Sequence, residues 1–213
     1  MGKPRSPKGR ALETLARLGE EYPDAECELD HRNPYELLAA TILSAQCTDV
    51  RVNLVTPALF DRFPTPEDLA VGDPAEVEEL VRTTGFYKNK ARSLIGMAAA
   101  LVDRYEGEVP SSMEELVTIP GVGRKTANVV RSVALDLPGL PVDTHVGRLS
   151  LRLGLTDQTD PVKVEYVLND MLSPAEWGRF SLLLILHGRR VCASRKARCE
   201  ACVLADFCPS SSV

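Results

Sequence analysis

Four cysteines crowd the C-terminal part of this 213-residue chain in the pattern Cys192-x6-Cys199-x2-Cys202-x5-Cys208. Thiolates are soft donors, and four of them in one short run form a metal-binding pattern. Zinc sites usually draw two close Cys-x2-Cys pairs from separated segments. Here only Cys199 and Cys202 form such a pair, so the chain must wrap a bulkier object. Four thiolates at this spacing fit a [4Fe–4S] cluster. Two disulfides are the bland alternative. They belong to secreted frameworks, and the two remaining cysteines, Cys27 and Cys47, stand isolated; both read as small buried residues. Between the first two cluster cysteines lie Arg195, Lys196 and Arg198, which read as a basic loop for phosphate contact.

A second stretch, IPGVGRKTANVV at residues 119–130, places two glycines and then Arg124 and Lys125 where a helix is about to begin. Cations oppose the positive end of a helix, so the segment breaks a local rule. A Walker loop needs Gly-Lys-Ser/Thr, and Arg124 precedes Lys125 here. A dinucleotide fingerprint needs a preceding strand, and a capped helix precedes this turn. A plain helical corner explains Gly121 and Gly123 at left-handed positions, but not the two cations. A helix–hairpin–helix gripping a DNA phosphate explains both. Gly121 and Gly123 let the backbone approach, and the N–H groups of the new helix's first turn supply donors. Such a site binds backbone without reading base sequence.

Lys125 has a plain reading as a surface lysine on phosphate. The sharper reading is a nucleophile, because a helix N-terminus, Arg124 and burial all favour the neutral amine that a Schiff base requires. That reading needs a carboxylate partner. Asp143, in LPVDTHVGRLSLRLG, stands where the next helix begins. Capping that helix is a sufficient job for it, yet a capping carboxylate can also face a site.

The elements that position these residues are helical. Leu12, Leu15, Ala16 and Leu18 share one face of ALETLARLGEEY. Asn33-Pro34 and Asp73-Pro74 each pair a cap with a first-position proline, and the second helix stops at Gly85. KNKARSLIGMAAALVDRYEG is a long helix ending near Gly107. SSMEELVTI carries a capping-box pattern, and PVKVEYVLNDML and PAEWGRFSLLLILHGRRVC add two more helices. The fold class is all-α. With 44% hydrophobic and 26% charged residues, the chain can build one large or two small cores. No apolar run reaches membrane-spanning length; the longest, FSLLLILHG, is interrupted by His187. The basic N-terminus MGKPRSPKGR has no apolar signal core and reads as a solvated tail, which with the cysteine usage suits a cytoplasmic compartment. A net charge of −5 disfavours nucleic acid when taken alone, but partners respond to local fields.

Together LVTIPGVGRKTANVV, VDTH and the four-cysteine spacing closely resemble the endonuclease III family, bifunctional DNA glycosylases of the helix–hairpin–helix superfamily. LLAATILSAQCTDVRVN, TTGFYKNKARSLI and LILHGRRVC extend the likeness from about residue 30 to Cys208. The resemblance implies two all-α lobes with a DNA cleft between them. One is a six-helix barrel over residues 27–137; the other joins residues 1–26 to 138–213 and holds a [4Fe–4S] cluster on Cys192, Cys199, Cys202 and Cys208. It implies that Lys125 is the Schiff-base lysine and Asp143 the essential aspartate. Gln46 and the pair Phe86 and Tyr87 match segments that fill the hole left by an extruded base. Two positions depart from the family's pattern: Phe86, where leucine is common, and Cys47, where alanine is familiar. Both bear on opposite-base preference and lesion range. The implied activity is removal of oxidised pyrimidines from duplex DNA, followed by β-elimination at the abasic site, by a monomer associated with the nucleoid. His145 is implied to support the site or touch phosphate, and His187 to pack near the cluster.

Two rivals carry different implications. Adenine glycosylases of the same superfamily share the cluster and the aspartate but typically lack the lysine and carry a further C-terminal domain. This chain has Lys125 and ends five residues after Cys208, and both features go against that branch. A non-catalytic DNA-binding or redox module would need only the hairpin and the cluster, leaving Lys125 and Asp143 as coincidence.

Overall fold

A computed structural model describes residues 4–213. Met1, Gly2 and Lys3, the start of the expected tail, lie outside the described residues. The rest of that tail is not free, which corrects the sequence expectation. The Ser6 hydroxyl accepts from the Gly9 N–H and opens helix α1 over Pro7–Glu21. Serine as cap and proline at the first position start the helix. Arg10 then fixes it, donating to the carbonyls of Leu153 and Gly154 at 2.7 and 2.5 Å.

Every regular element among the described residues is helical, and the one β-type pairing is an isolated bridge between Cys192 and Ala197. The chain divides into two compact units: Cys27–Leu137, and Met1–Glu26 together with Pro138–Val213.

The Cys27–Leu137 unit contains α2 (Pro34–Leu43), α3 (Asp49–Arg62), α4 (Pro66–Ala70), α5 (Pro74–Val81), α6 (Tyr87–Tyr105), α7 (Met113–Leu116) and α8 (Arg124–Val133). Helix α2 is apolar and buried on all sides, with Leu37, Leu38, Ala39, Ala40 and Leu43 fully enclosed. Leu59 of α3, Leu69 of α4, Val77 of α5, Leu94 and Met97 of α6, Leu116 of α7 and Val130 of α8 complete the same core. Starts are chemically marked: Asn33, Thr48, Thr65, Asp73 and Ser112 each accept a first-turn N–H. Helices α3 and α4 are not singled out by the periodicity. In α3, Pro57 sits inside the helix and removes one backbone donor, which disguises it.

The second unit contains α1, α9 (Thr144–Arg152), α10 (Pro161–Asn169) and α11 (Trp177–Arg190). Its core joins Ala11 and Leu18 of α1, Val146 and Leu149 of α9, Val164 and Leu168 of α10, and Phe180, Leu183 and Leu184 of α11. Leu204 and Phe207 bring the cysteine-bearing segment into that core. Helix α1 is stitched to the same segment by Arg17, which donates to Val203 O at 2.9 Å, pairs with Asp206 at 2.6 Å and lies over the Phe207 ring.

Candidate functional site

In the Cys27–Leu137 unit, the chain leaves α7 and turns through residues 117–123 into α8. Ile119 and Val122 are buried and pin the turn, and Val122 N–H donates to Ile119 O at 3.0 Å. Gly121 has φ 81°, in the left-handed region, and a Cβ there would sit 2.8 Å from Ser93 Cβ of α6 and 3.4 Å from Ile42 Cδ1 of α2. Conformation and space both require glycine at this position. Gly123 differs from the sequence expectation. Its φ is −95° and ψ 174°, ordinary extended backbone, and an added Cβ would meet nothing within 4 Å. What this second glycine leaves is open space in front of the α8 N-terminus.

Gly123 caps α8 without a side-chain hydrogen bond, and no acidic residue stands in the first turn. The N–H groups of the first turn of α8 have no acceptor within their own helix. Lys125 is exposed, so the burial expected of it is not in place.

The two segments matched to base-hole filling carry unusual backbone. Gln46 (φ 53°) and Phe86 (φ 49°) are both non-glycine residues in the left-handed region, each costing about 1–3 kcal/mol. Both are exposed, Phe86 to 65%. Tyr87, half-buried, opens α6 behind Phe86 with Arg82 over its ring. Lys90, which the sequence does not mark, holds this turn. It is 5% exposed, and its Nζ donates to Thr84 O at 2.8 Å while burial lowers its pKa. Gly121 thus rests against α6, which begins beside Phe86, and against α2, which leads into Gln46. Cys27 and Cys47 are half-buried against this unit's core, as small apolar residues.

In the other unit, Asp143 is the N-cap of α9, its Oδ1 accepting from Val146 N–H at 2.8 Å. The residue is half-buried. His145 follows two residues later, in the first turn of α9. Its Nδ1 lies 3.1 Å from Arg148 Nη2; a guanidinium only donates, so Nδ1 accepts and Nε2 carries the hydrogen. The same Nη2 donates to Gly188 O and Cys192 O at 3.1 and 3.0 Å. A Cβ on Gly188 would come within 2.7 Å of His145 Nδ1, so that glycine makes room for the ring.

The four cysteines line one cavity of about 250 Å³ together with Leu149, Arg152, His187 and Leu204. Among the described residues no three or more His, Cys, Asp or Glu side chains converge as ligands of a single ion do. The four cysteines are spread along the lining of that cavity. Burial pushes the Cys202 and Cys208 thiols up. Two neighbours aim donors at the sulfurs. Arg152 Nη1 lies 3.2 Å from Cys192 Sγ and also donates to Ala193 O at 2.8 Å, while its Nη2 donates to Ser194 O at 2.9 Å. His187, 2% exposed, lies with Nε2 3.3 Å from Cys202 Sγ and Nδ1 3.1 Å from Tyr22 Oη. Burial pushes its pKa down to about 4, so the ring is neutral near pH 7. Arg195 and Lys196 are exposed on the loop between Cys192 and Cys199, whose root Arg152 grips. Arg148 and Arg152, one turn apart on α9, and Tyr22, the C-cap of α1, are residues that motif spacing does not reveal, because their partners lie far away in sequence.

Residues 39–174 match the family model of the HhH-GPD superfamily base excision DNA repair protein. Over 210 residues the chain is 54% identical to an endonuclease III of Synechocystis sp., covering 98% of this chain and 96% of that protein. The chain belongs to the endonuclease III family. An endonuclease III of Bacillus subtilis is 44% identical over 91% of this chain and 89% of its own length. Among solved structures, a trapped endonuclease III–DNA covalent intermediate superposes with a TM-score of 0.90 at 44% identity, covering 95% of this chain and 96% of that one. A thermostable thymine-DNA glycosylase shares the fold at 21% identity and a TM-score of 0.84. This endonuclease III family member is an enzyme of base-excision repair, a DNA glycosylase with abasic-site lyase activity. No helix among the described residues is long and apolar enough to cross a membrane.

Proposed function

We propose that this enzyme removes oxidised pyrimidines such as thymine glycol from duplex DNA, with Lys125 as nucleophile and Asp143 as its carboxylate partner. The observation that carries this reading is the head of α8, where an exposed lysine stands in a first turn that has no acidic residue and no side-chain cap bond. A related endonuclease III has been trapped covalently on DNA, which is the species such a lysine forms.

The damaged nucleotide must first leave the stack. Gln46 and Phe86, held outward by their left-handed backbone, fill the vacated space, and Tyr87 supports Phe86. Gly121, Gly123 and Arg124 grip a phosphate at the hairpin; His145 offers its Nε2–H to another, and Arg195 and Lys196 extend the contact along the backbone. The lone pair of neutral Lys125 bonds to C1′ while the glycosidic bond breaks, its electrons leaving with the base, which is protonated on departure. The Asp143 carboxylate stabilises the cationic sugar and accepts the amine proton. Ring opening gives the Schiff base. Loss of a C2′ proton then expels the 3′ phosphate, and water frees the lysine.

The cysteine set fits a [4Fe–4S] cluster: four thiols line one cavity, and Arg152 and His187 supply donors to two of the sulfurs. Cys192, Cys199, Cys202 and Cys208 would hold it. Bound there, it cross-links the loop that carries Arg195 and Lys196. Such an enzyme works where the chromosome is, associated with the nucleoid, as a monomer.

A duplex carrying one thymine glycol, incubated with enzyme and borohydride, tests the chemistry. A covalent protein–DNA band is expected with the wild type and none with Lys125→Ala. A band of equal strength in the variant removes Lys125 from C1′, and base release without any band makes the enzyme monofunctional.

A further inference from the structure

Helix α1 reaches the cysteine-bearing segment at points next to two of its cysteines. Arg17 donates to Val203 O, adjacent to Cys202, and stacks on Phe207, adjacent to Cys208. The third contact reaches a sulfur. Tyr22 is the C-cap of α1, its N–H bonded to Leu18 O at 2.9 Å, so its position is set by the helix end. Its hydroxyl lies 3.1 Å from His187 Nδ1, and His187 Nε2 lies 3.3 Å from Cys202 Sγ. Arg190 lies over the Tyr22 ring, 5.2 Å from its centroid.

The chemistry of the three groups gives this chain one direction. A metal-bound thiolate only accepts. His187 Nε2 must therefore carry the ring hydrogen, and Nδ1 must accept. Among the described residues, the donor within reach of Nδ1 is the Tyr22 hydroxyl. Tyr22 thereby fixes the tautomer in which His187 donates to the sulfur. Without it, Nδ1 is a buried acceptor with no partner, and the ring gains by turning or changing tautomer, either of which weakens the bond to Cys202.

Resting on the cluster reading above, we propose that Tyr22 and His187 form a directional hydrogen-bond relay through which helix α1 governs retention of the cluster and its reduction potential. Both are positioning residues: neither touches the DNA chemistry. Hydrogen bonds to ligand sulfur draw off electron density and favour the reduced cluster, so weakening this one lowers the potential.

The test uses the purified holoenzyme and four variants: Tyr22→Phe, His187→Gln, His187→Leu and the Tyr22→Phe/His187→Gln double variant. Iron and sulfide content, the rate of iron release to a chelator, and the reduction potential are measured for each. Tyr22→Phe keeps the buried ring and so keeps the fold, which helical circular dichroism checks. It is expected to release iron about tenfold faster, at the low end of what loss of a supporting contact does to a metal site. Its potential shifts downward. His187→Leu shifts further in the same direction. His187→Gln retains an N–H for the sulfur and stays near the wild type, and adding Tyr22→Phe to it changes nothing more, because the tautomer no longer matters. Wild-type release rate and potential in Tyr22→Phe overturn the relay while leaving the cluster standing. Wild-type protein without iron and sulfide overturns both.

Discussion

A methyl group on residue 121 has nowhere to go. Gly121 combines a left-handed φ of 81° with a Ser93 carbon 2.8 Å from where a Cβ would lie. Two residues later, Gly123 has neither constraint. The pair therefore separates two reasons for glycine that look identical in the sequence. Gly121→Ala is expected to destabilise the fold by about 1–3 kcal/mol, from strain at a left-handed position. Gly123→Ala is expected to stay within about 1 kcal/mol of the wild type, since the reduced freedom of the unfolded chain offsets alanine's poorer capping. Its methyl nevertheless occupies the space a phosphate would take, so DNA affinity drops by about tenfold or more, the loss of one charge-assisted contact. Urea midpoints and binding titrations on both variants check this. Equal loss of stability in the two would show that Gly123 is structural after all.

At the scale of the element, helix α9 has a cap residue with two jobs. The Asp143 carboxylate caps the helix through Val146 N–H, and the same group is assigned the chemistry. Asparagine caps about as well as aspartate but carries no charge. Asp143→Asn is therefore expected to melt within about 0.5 kcal/mol of the wild type while base release collapses. Asp143→Ala loses the chemistry and also about 1 kcal/mol of cap. Thermal melts alongside single-turnover base release separate the two; an active Asp143→Asn would leave the residue with capping alone. Elements of this kind were legible because their starts are written locally. Asn33-Pro34, Asp73-Pro74 and Ser112 with Glu115 announce helices through side chains that bond their own first turn. Helix α3 was not legible, because Pro57 interrupts the pattern that only the surrounding core overrides. The tail was misread for a related reason: Ser6 and Pro7 are a cap and a first-position proline, but only the distant carbonyls of Leu153 and Gly154 hold the turn they open. The same limit applies to the site. Lys125, Asp143 and the cysteines are marked by type and spacing, whereas Lys90, Arg148, Arg152 and Tyr22 act through partners that no spacing records.

For the molecule as a whole, 30 acidic residues against 25 basic ones suggest a poor match to a polyanion. The range of electrostatics decides otherwise. At physiological salt the screening length is about 8 Å, so a phosphate responds to the side chains beside it and not to the total. Arg195 and Lys196 are exposed on a loop whose root is gripped by Arg152 at the carbonyls of Ala193 and Ser194. Their charges are thus delivered in a fixed place, which a free tail would not do. Each phosphate they neutralise releases condensed counterions, and the logarithm of the binding constant falls with the logarithm of salt by about 0.9 per contact. Arg195→Ala and Lys196→Ala are each expected to reduce that slope by about 0.9 on undamaged and damaged duplex alike, since backbone contacts carry no base information. Glu200→Gln, on the far side of Cys199, changes the net charge by the same amount in the opposite sense and is expected to leave the slope within about 0.3 of the wild type. Titrations across a salt series measure all three. A slope that follows net charge, shifting as much for Glu200→Gln as for the two basic residues, would show that the whole molecule's field steers binding and that the loop makes no phosphate contact of its own.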